Sequence, residues 1–409
     1  TPGAGEPTAT PPAAEPTVLP TSAPEGTPTL SAITLTIWTT EAFSPTQAIT
    51  AGQILAQEIA LFEADHPNVR LDFVLKKPYG KGGLLDYLLT TEAVVPHLLP
   101  DLIILDIDEL RAAVQAQVLQ PVDDLLPNDL VADLYPAARE AGAIDGRLYG
   151  LQYQADLEHL VYNTGRMTVP PRSWPGVLSN PGPYLFPAGG QSGLVNDAFL
   201  IQYLAVQPQP APGPGGELVL KEDSLAAVLQ YYLDGESQGI FPADILNYHT
   251  TDDCWRDYVA GQAALTHVGA HRYLQDRREL QGSAPAPIPA INGPVAAIDH
   301  GWAMALVTPD PTRQSAAVDF MLQVLSPEVN AAWNQAAGYL PTRQSAVALW
   351  DQEDSYVPFI HQQLLAATNR PAATNYTQAA AALQKAVESV LTGAATPEEA
   401  AAQAVEDAQ

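Results

Sequence analysis

"DLIILDIDELRAAVQAQVL", residues 101–119, joins an apolar strand to a helix, the unit from which a parallel sheet is built. Its opening, "DLIILDI", is a short, almost continuously apolar run of the kind buried on both faces of a parallel sheet. The remainder, "ELRAAVQAQVL", reads as the helix that follows such a strand. Upstream, Ile33, Leu35 and Ile37 alternate with Thr34, Thr36 and Trp38, the period of a half-buried strand. Leu55, Ile59 and Phe62 then fall at i, i+4 and i+7, an amphipathic helix that Pro67 ends. "VRLDFVL", residues 69–75, alternates again. Strand, helix, strand, helix predicts a doubly wound α/β lobe.

The middle of the chain is less regular. Proline and glycine cluster in residues 169–190 and 206–217 and mark loops, with helical windows at 196–206 and 224–234. No period of about 20 to 50 residues recurs, which excludes a solenoid. Later, Ala317, Phe320, Met321, Val324 and Leu325 form a helical stripe. Ser326 and Pro327 then serve as N-cap and first residue of a second helix, which Gly338 stops. The phrase "AAGYLPTRQSA", residues 336–346, therefore leaves a helix and is forced by Pro341 into an extended step. Thr396 and Glu399 form a capping box, with Pro397 as first residue of the last helix.

A chain of 409 residues suggests two domains on the usual size of about 100 to 200 residues each. Hydrophobic residues make up 46% and charged residues 16%, and no apolar run reaches the about 18 residues expected of a membrane span. Lys and Arg number 18 against 46 Asp and Glu, a net charge of -28 that repels phosphate backbones and disfavours nucleic acid as a partner. Cys254 is the sole cysteine, so no internal disulfide or thiolate cluster can form. Residues 1–30 carry eight prolines and seven threonines, too little apolar surface to offset chain entropy, and read as an extended tether.

Catalytic signatures fail. Gly190-Gln191-Ser192-Gly193-Leu194 lacks the second glycine of a nucleophile elbow, and "YGKGG" is no phosphate-binding loop. His267 and His271 are four apart, but a strand-to-helix turn expected at 268–270 breaks helical spacing, so neither they nor His300 make a metal site. No cofactor is expected.

Five phrases in one order carry a resemblance: "LFEADHPNVRLDFV", "PDLIILDIDELRAAVQAQVLQPVDDLL", "IDGRLYGLQYQADLEHLVYN", "AAVDFMLQVLSPEVNAAWNQAAGYLPTRQSA" and "LTGAATPEEAAAQAVEDAQ". Over residues 31–409 the chain resembles family 1 of the extracellular solute-binding proteins of ABC importers, the maltose-binding-protein-like group of sugar-binding lipoproteins. The resemblance implies a two-lobed, type II periplasmic-binding-protein-like fold, each lobe a sheet flanked by helices. Lobe 1 would comprise 31–155 plus 300–338 and lobe 2 would comprise 156–299 plus 339–409. Three hinge crossings would lie near Gln154, near residues 298–302, and from Gly338 to Pro341.

The same resemblance implies a cleft ligand, a carbohydrate, delivered to an ABC transporter permease by a monomer. It places the protein outside the cytoplasm, held at the envelope by a lipid anchor removed from this chain. Carried over residue by residue, the ligand site would use Trp38, Thr40 and Glu41 after the first strand, Asp108 after "LIILDI", Asp156 at the first crossing and Trp302 past the second. Asp108 as a helix cap and Trp302 as core packing are the structural alternatives. His271 stands where the group has a second-lobe tryptophan, and an alanine near Tyr376 stands at a later one. These departures point away from maltodextrins toward a smaller sugar. The rivals are a cationic solute such as a polyamine, which the acidic surplus would attract, and a glycoside-processing enzyme with a similar cleft.

Overall fold

The computed structural model describes residues 1–3, 5, 32–180, 182–207 and 216–409. The expected tether over 1–30 and the proline-rich stretch after Gln207 thus lie mainly outside the described residues. The rest forms a two-lobed α/β molecule. In chain order its strands are β1 (Ile33–Thr39), β2 (Val69–Leu75), β3 (Leu102–Asp106), β4 (Ala143–Ile144), β5 (Arg147–Leu148), β6 (Gly150–Asn163), β7 (Tyr184–Leu185), β8 (Leu265–Gly269), β9 (Ser283–Ala286) and β10 (Asp299–Leu306).

Strand order is β2-β1-β3-β10-β6-β8-β7, with β9 also on β6 and β4-β5 a separate hairpin. The parallel β1-β2 and β1-β3 pairs follow from the helical crossovers read in the sequence. One path serves both lobes because β6 has 14 residues. Its first half, 150–157, pairs with β10, and its second half pairs with β8 and β9. Residues 102–105 of β3 are all buried, as a continuous apolar run requires. Leu35, Leu55 and Phe62 pack on one face of the first-lobe sheet; Trp38, Leu88 and Ile103 pack on the other. The second lobe has one larger core, into which Tyr135 and Ala138 also reach.

The helix after β3 is shorter than expected, Leu110–Gln115 rather than 109–119. Gln117 adopts φ 59°, which ends the helix and turns Val118 and Leu119 into the core. The helix Pro327–Ala337 stops at Gly338, φ 77°, as read. Leu340 then exchanges both backbone hydrogen bonds with Ala155 of β6, at 2.9 and 3.0 Å. The Thr342 hydroxyl donates to the Gln152 carbonyl at 2.8 Å. The extended step at Pro341 is therefore stitched along the one strand that both lobes share.

Two glycines beside β6 give a contrast in stability. A Cβ on Gly301 would lie 2.2 Å from the Gln154 carbonyl oxygen and 2.3 Å from Gln152 Nε2. Gly301→Ala is expected to cost about 1 to 3 kcal/mol or more through forced backbone movement. At Gly338 the nearest atom would be 3.5 Å away, so Gly338→Ala carries only the left-handed backbone cost of about 1 to 2 kcal/mol. Denaturant titration of both variants checks the order; equal midpoints would contradict it.

Candidate functional site

Trp302 sits on β10 between Asp106 of β3 and Gln154 of β6. Its half-buried ring lies 5.6 Å from Phe43 and 5.6 Å from Tyr79. Tyr79 is 54% exposed, and its hydroxyl donates to Asp106 Oδ2 at 2.6 Å. Asp106 Oδ1 accepts the Asp108 backbone N–H at 2.9 Å. Asp106, not Asp108, is thus the cap of the turn Ile107–Glu109, and the Asp108 carboxylate is left to reach outward. Burial, and then Asp106 and Asp108 nearby, push Glu109 up to about 7. This wall combines tilted aromatic faces with clustered acceptors.

The opposite wall is built on β6, β10 and two later segments. Asp156 faces His300 across the β6-β10 pair, and Glu158 follows on the same face of β6. His300 Nε2 lies 2.5 Å from Asp197 Oδ2, at the first turn of the helix Asp197–Val206. Burial disfavours charge on His300, but Asp197 outweighs it and raises the imidazole to about 9. Burial likewise opposes the Asp197 charge, yet His300 and Arg370 hold its carboxyl well below the ordinary range. Arg370 grips Asp197 with two hydrogen bonds of 2.9 Å and gives a third to Asp108. Asp156, raised by burial, accepts the His271 backbone N–H at 2.9 Å. Glu158 contacts His267 Nδ1 at 3.3 Å, and His267 Nε2 meets the Tyr184 hydroxyl at 2.6 Å inside the second core.

Two compartments open on either side of Arg370, away from the Trp302 ring. One, of about 300 Å³, is lined by Glu158, Asn196, Asp197 and His300; the other, of about 230 Å³, by Asp108, Arg111, Glu140 and Asn369. Arg370 and Tyr376 line both and stand between them. Cavities of this size sit at or below the small end of the range for small-molecule sites, about 300 to 1,000 Å³.

The residues named from the sequence are dispersed around this arrangement. Asp108, Asp156, Trp302 and Tyr376 lie on or beside the walls. Trp38 does not: it is 5% exposed, edge-on to Tyr87 at 6.1 Å and covered by Lys76, so its ring packs in the first lobe. Thr40 is buried too, with its hydroxyl unpartnered. Glu41 is exposed on the turn Glu41–Phe43, whose Phe43 supports Trp302. His271 stacks on Tyr339 at 4.1 Å, and its Nδ1 lies 3.0 Å from the Gly338 carbonyl oxygen, which fixes the ring to the crossing. Gln154 and Pro341 are buried in that same region. His267 and His271 fall on β8 and the helix after it, and among the described residues no three metal-ligating side chains converge.

Sequence reading missed Tyr79, Asp106, Glu158, Asp197 and Arg370 as wall residues and weighed His300 only as a metal ligand. Asp197 had a signal, an acid in the first turn of a helical window. Arg370, in a loop, had none.

A family description, "Bacterial extracellular solute-binding protein", matches residues 62–357. The chain belongs to this family. Among curated relatives, the maltotriose-binding protein of Pyrococcus abyssi (strain GE5 / Orsay) is 32% identical over 75 residues, 18% of this chain and only 17% of that protein's length. The cyclic alpha-maltosyl-1,6-maltose binding protein from Arthrobacter globiformis superposes with TM-score 0.70 at 19% identity, covering 92% of this chain and 98% of that one. The sugar-binding protein MalE from Xanthomonas citri gives TM-score 0.72 at 18% identity, over 91% and 96%. These likenesses establish the type II two-lobed fold for this solute-binding protein.

Proposed function

We propose that this solute-binding protein captures a monosaccharide or short oligosaccharide between its lobes, closes over it and delivers it to the permease of an ABC importer. The observation that carries this reading is the aromatic pair Trp302 and Tyr79 set beside carboxylates, Asp106 and Asp108 on its own wall and Asp156 and Glu158 along β6. Pyranose faces are apolar and stack on rings, while their hydroxyls donate to carboxylates; closure removes the water that would weaken both. The relatives named for sugars support it.

Lobe 1 at 31–155 plus 300–338 and lobe 2 at 156–299 plus 339–409 is the division proposed, with Tyr135 and Ala138 packing across it. Gln154, Gly338 and Pro341 are the proposed hinge positions, since element ends absorb closure. The protein acts as a monomer outside the cytoplasm, lipid-anchored through its tether. Among the described residues no helix is long and apolar enough to cross a membrane. It binds without converting its ligand.

A second reading, a cationic solute such as a polyamine, is favoured by one observation. Asp106, Glu109, Asp156 and Asp299 are all shifted upward, chiefly by burial, and a bound cation would relieve that cost. A thermal-shift screen against mono-, di- and trisaccharides and against polyamines separates the two. At about 100-fold excess over Kd a true ligand contributes about 2.7 kcal/mol, a rise of several degrees. A rise with polyamines and none with any sugar would overturn the main reading. Recovery of the sugar unchanged after long incubation distinguishes a binder from a glycoside-processing enzyme.

A further inference from the structure

We propose that Arg370 is a built-in latch that ties the two walls of the cleft together before any ligand arrives. Its guanidinium is fixed from the second lobe by two hydrogen bonds to Asp197, which is only 5% exposed at its side chain. The remaining Nη1 group donates to Asp108, which stands beyond the end of β3 on the first lobe. The loop that carries Arg370 is itself pinned at the base of the cleft. Thr368 exchanges backbone hydrogen bonds with Ala297 and Asp299, and the Asn369 amide donates to the Ala137 carbonyl at 2.9 Å. One cation thus holds carboxylates from opposite walls.

The physics favours a modest, salt-sensitive clamp. An exposed ion pair is usually weak because two long side chains must be ordered for one contact. Here Asp197 has already ordered the guanidinium, so only the short Asp108 side chain loses freedom. The limb to Asp108 is 42% exposed on the aspartate side and remains open to screening. Its expected effect is a shift of about two- to fivefold in the ratio of closed to open molecules. A ligand that uses Asp108 must share it with Arg370 or displace it.

The latch rests on the two-walled cleft and not on the identity of the ligand, so its test contains no ligand at all. Cys254 is buried, with its thiol pushed up by burial, so introduced cysteines can be labelled selectively. Full-length protein with spin labels at Lys81→Cys and Asp252→Cys, exposed positions two residues from Tyr79 and one from Thr251, reports the distance between the cleft rims by dipolar spectroscopy. The unliganded parent is expected to show mainly the short distance. Asp108→Asn, which leaves the Asp197 clamp intact, and Arg370→Gln should both raise the long-distance fraction about two- to fivefold. Salt at 1 M, where the screening length is about 3 Å, should move the parent the same way and Asp108→Asn little further. A parent that is already open, or variants whose distances match a closed parent, would overturn the latch. A silent sugar screen would leave this result untouched, so the two ideas fail separately.

Discussion

Replacing Trp302 with alanine is expected to lower affinity for the identified sugar about tenfold to hundredfold, the weight of a central aromatic anchor. It should also remove most of the ligand-induced change in tryptophan fluorescence. Exposure singles out this ring. The chain has six tryptophans, and Trp38, Trp174, Trp255, Trp333 and Trp350 are each 7% exposed or less. Trp302 alone is half-buried and stands beside exposed Tyr79. A ligand that stacks there changes one indole, while the other five sit in cores that it cannot touch. Asp156→Asn is a companion with about a tenfold loss, because a neutral amide gives up the charge-assisted acceptor while its oxygen still caps His271. The anchor assignment fails if calorimetry finds parental affinity in Trp302→Ala. A collapse of melting temperature with unchanged affinity in the folded fraction would mark the ring as core packing.

Asp197→Ala should have the largest effect on stability. Asp197 is 6% exposed and faces two cations, His300 and Arg370. Removing it leaves His300 without its carboxylate and Arg370 with Asp108 alone, and breaking a buried pair typically costs about 3 to 5 kcal/mol, or a fall of about 10 °C in melting temperature. The pH dependence gives a sharper signature. An unfolded histidine titrates near about 6.5, whereas His300 in the fold is raised to about 9. The stabilisation it contributes is therefore complete below about 6.5 and lost as pH rises through about 9. Asp197 is shifted the other way, so its share is present above about pH 4 and lost only in stronger acid. Scanning calorimetry from pH 7.5 to 10, above the range where Glu109 and Asp299 titrate, should show the parent losing stability across that window and Asp197→Ala losing much less. Parallel curves would mean that the pair does not carry the effect.

Much of the architecture was legible from local pattern. The buried run of β3, the Gly338 stop and the capping box at Thr396 all appear where the sequence places them, while β1 forms as expected but is buried on both faces from Ile37 to Thr39 instead of half-buried. Each depends on residues within one or two turns of each other, and local patterns survive tertiary context when they agree with it. The helix after β3 departs because Gln117 takes a left-handed conformation to bury Val118 and Leu119, and tertiary burial overrides helix propensity. The site was less legible. Asp108 lies on a wall of the cleft, but the capping role weighed for it belongs to Asp106, two residues earlier.

Local pattern in the sequence determined the first three strands, the helix between the first two and several helix ends, because burial period and capping chemistry act over short stretches of chain; the two lobes were implied by the family resemblance. Trp38 and Trp302 show where that stops. Both are tryptophans on strands, and only the packing of Tyr87 and Lys76 over one and of Tyr79 beside the other decides which ring is hidden. The charges show it more strongly. Arg370 meets Asp197 and Asp108 across 173 and 262 residues of chain, and no local pattern encodes such a meeting. Charge pairing falls steeply with distance and depends on which strand ends and loops the fold brings face to face, so the tertiary structure alone decided what the cleft is made of.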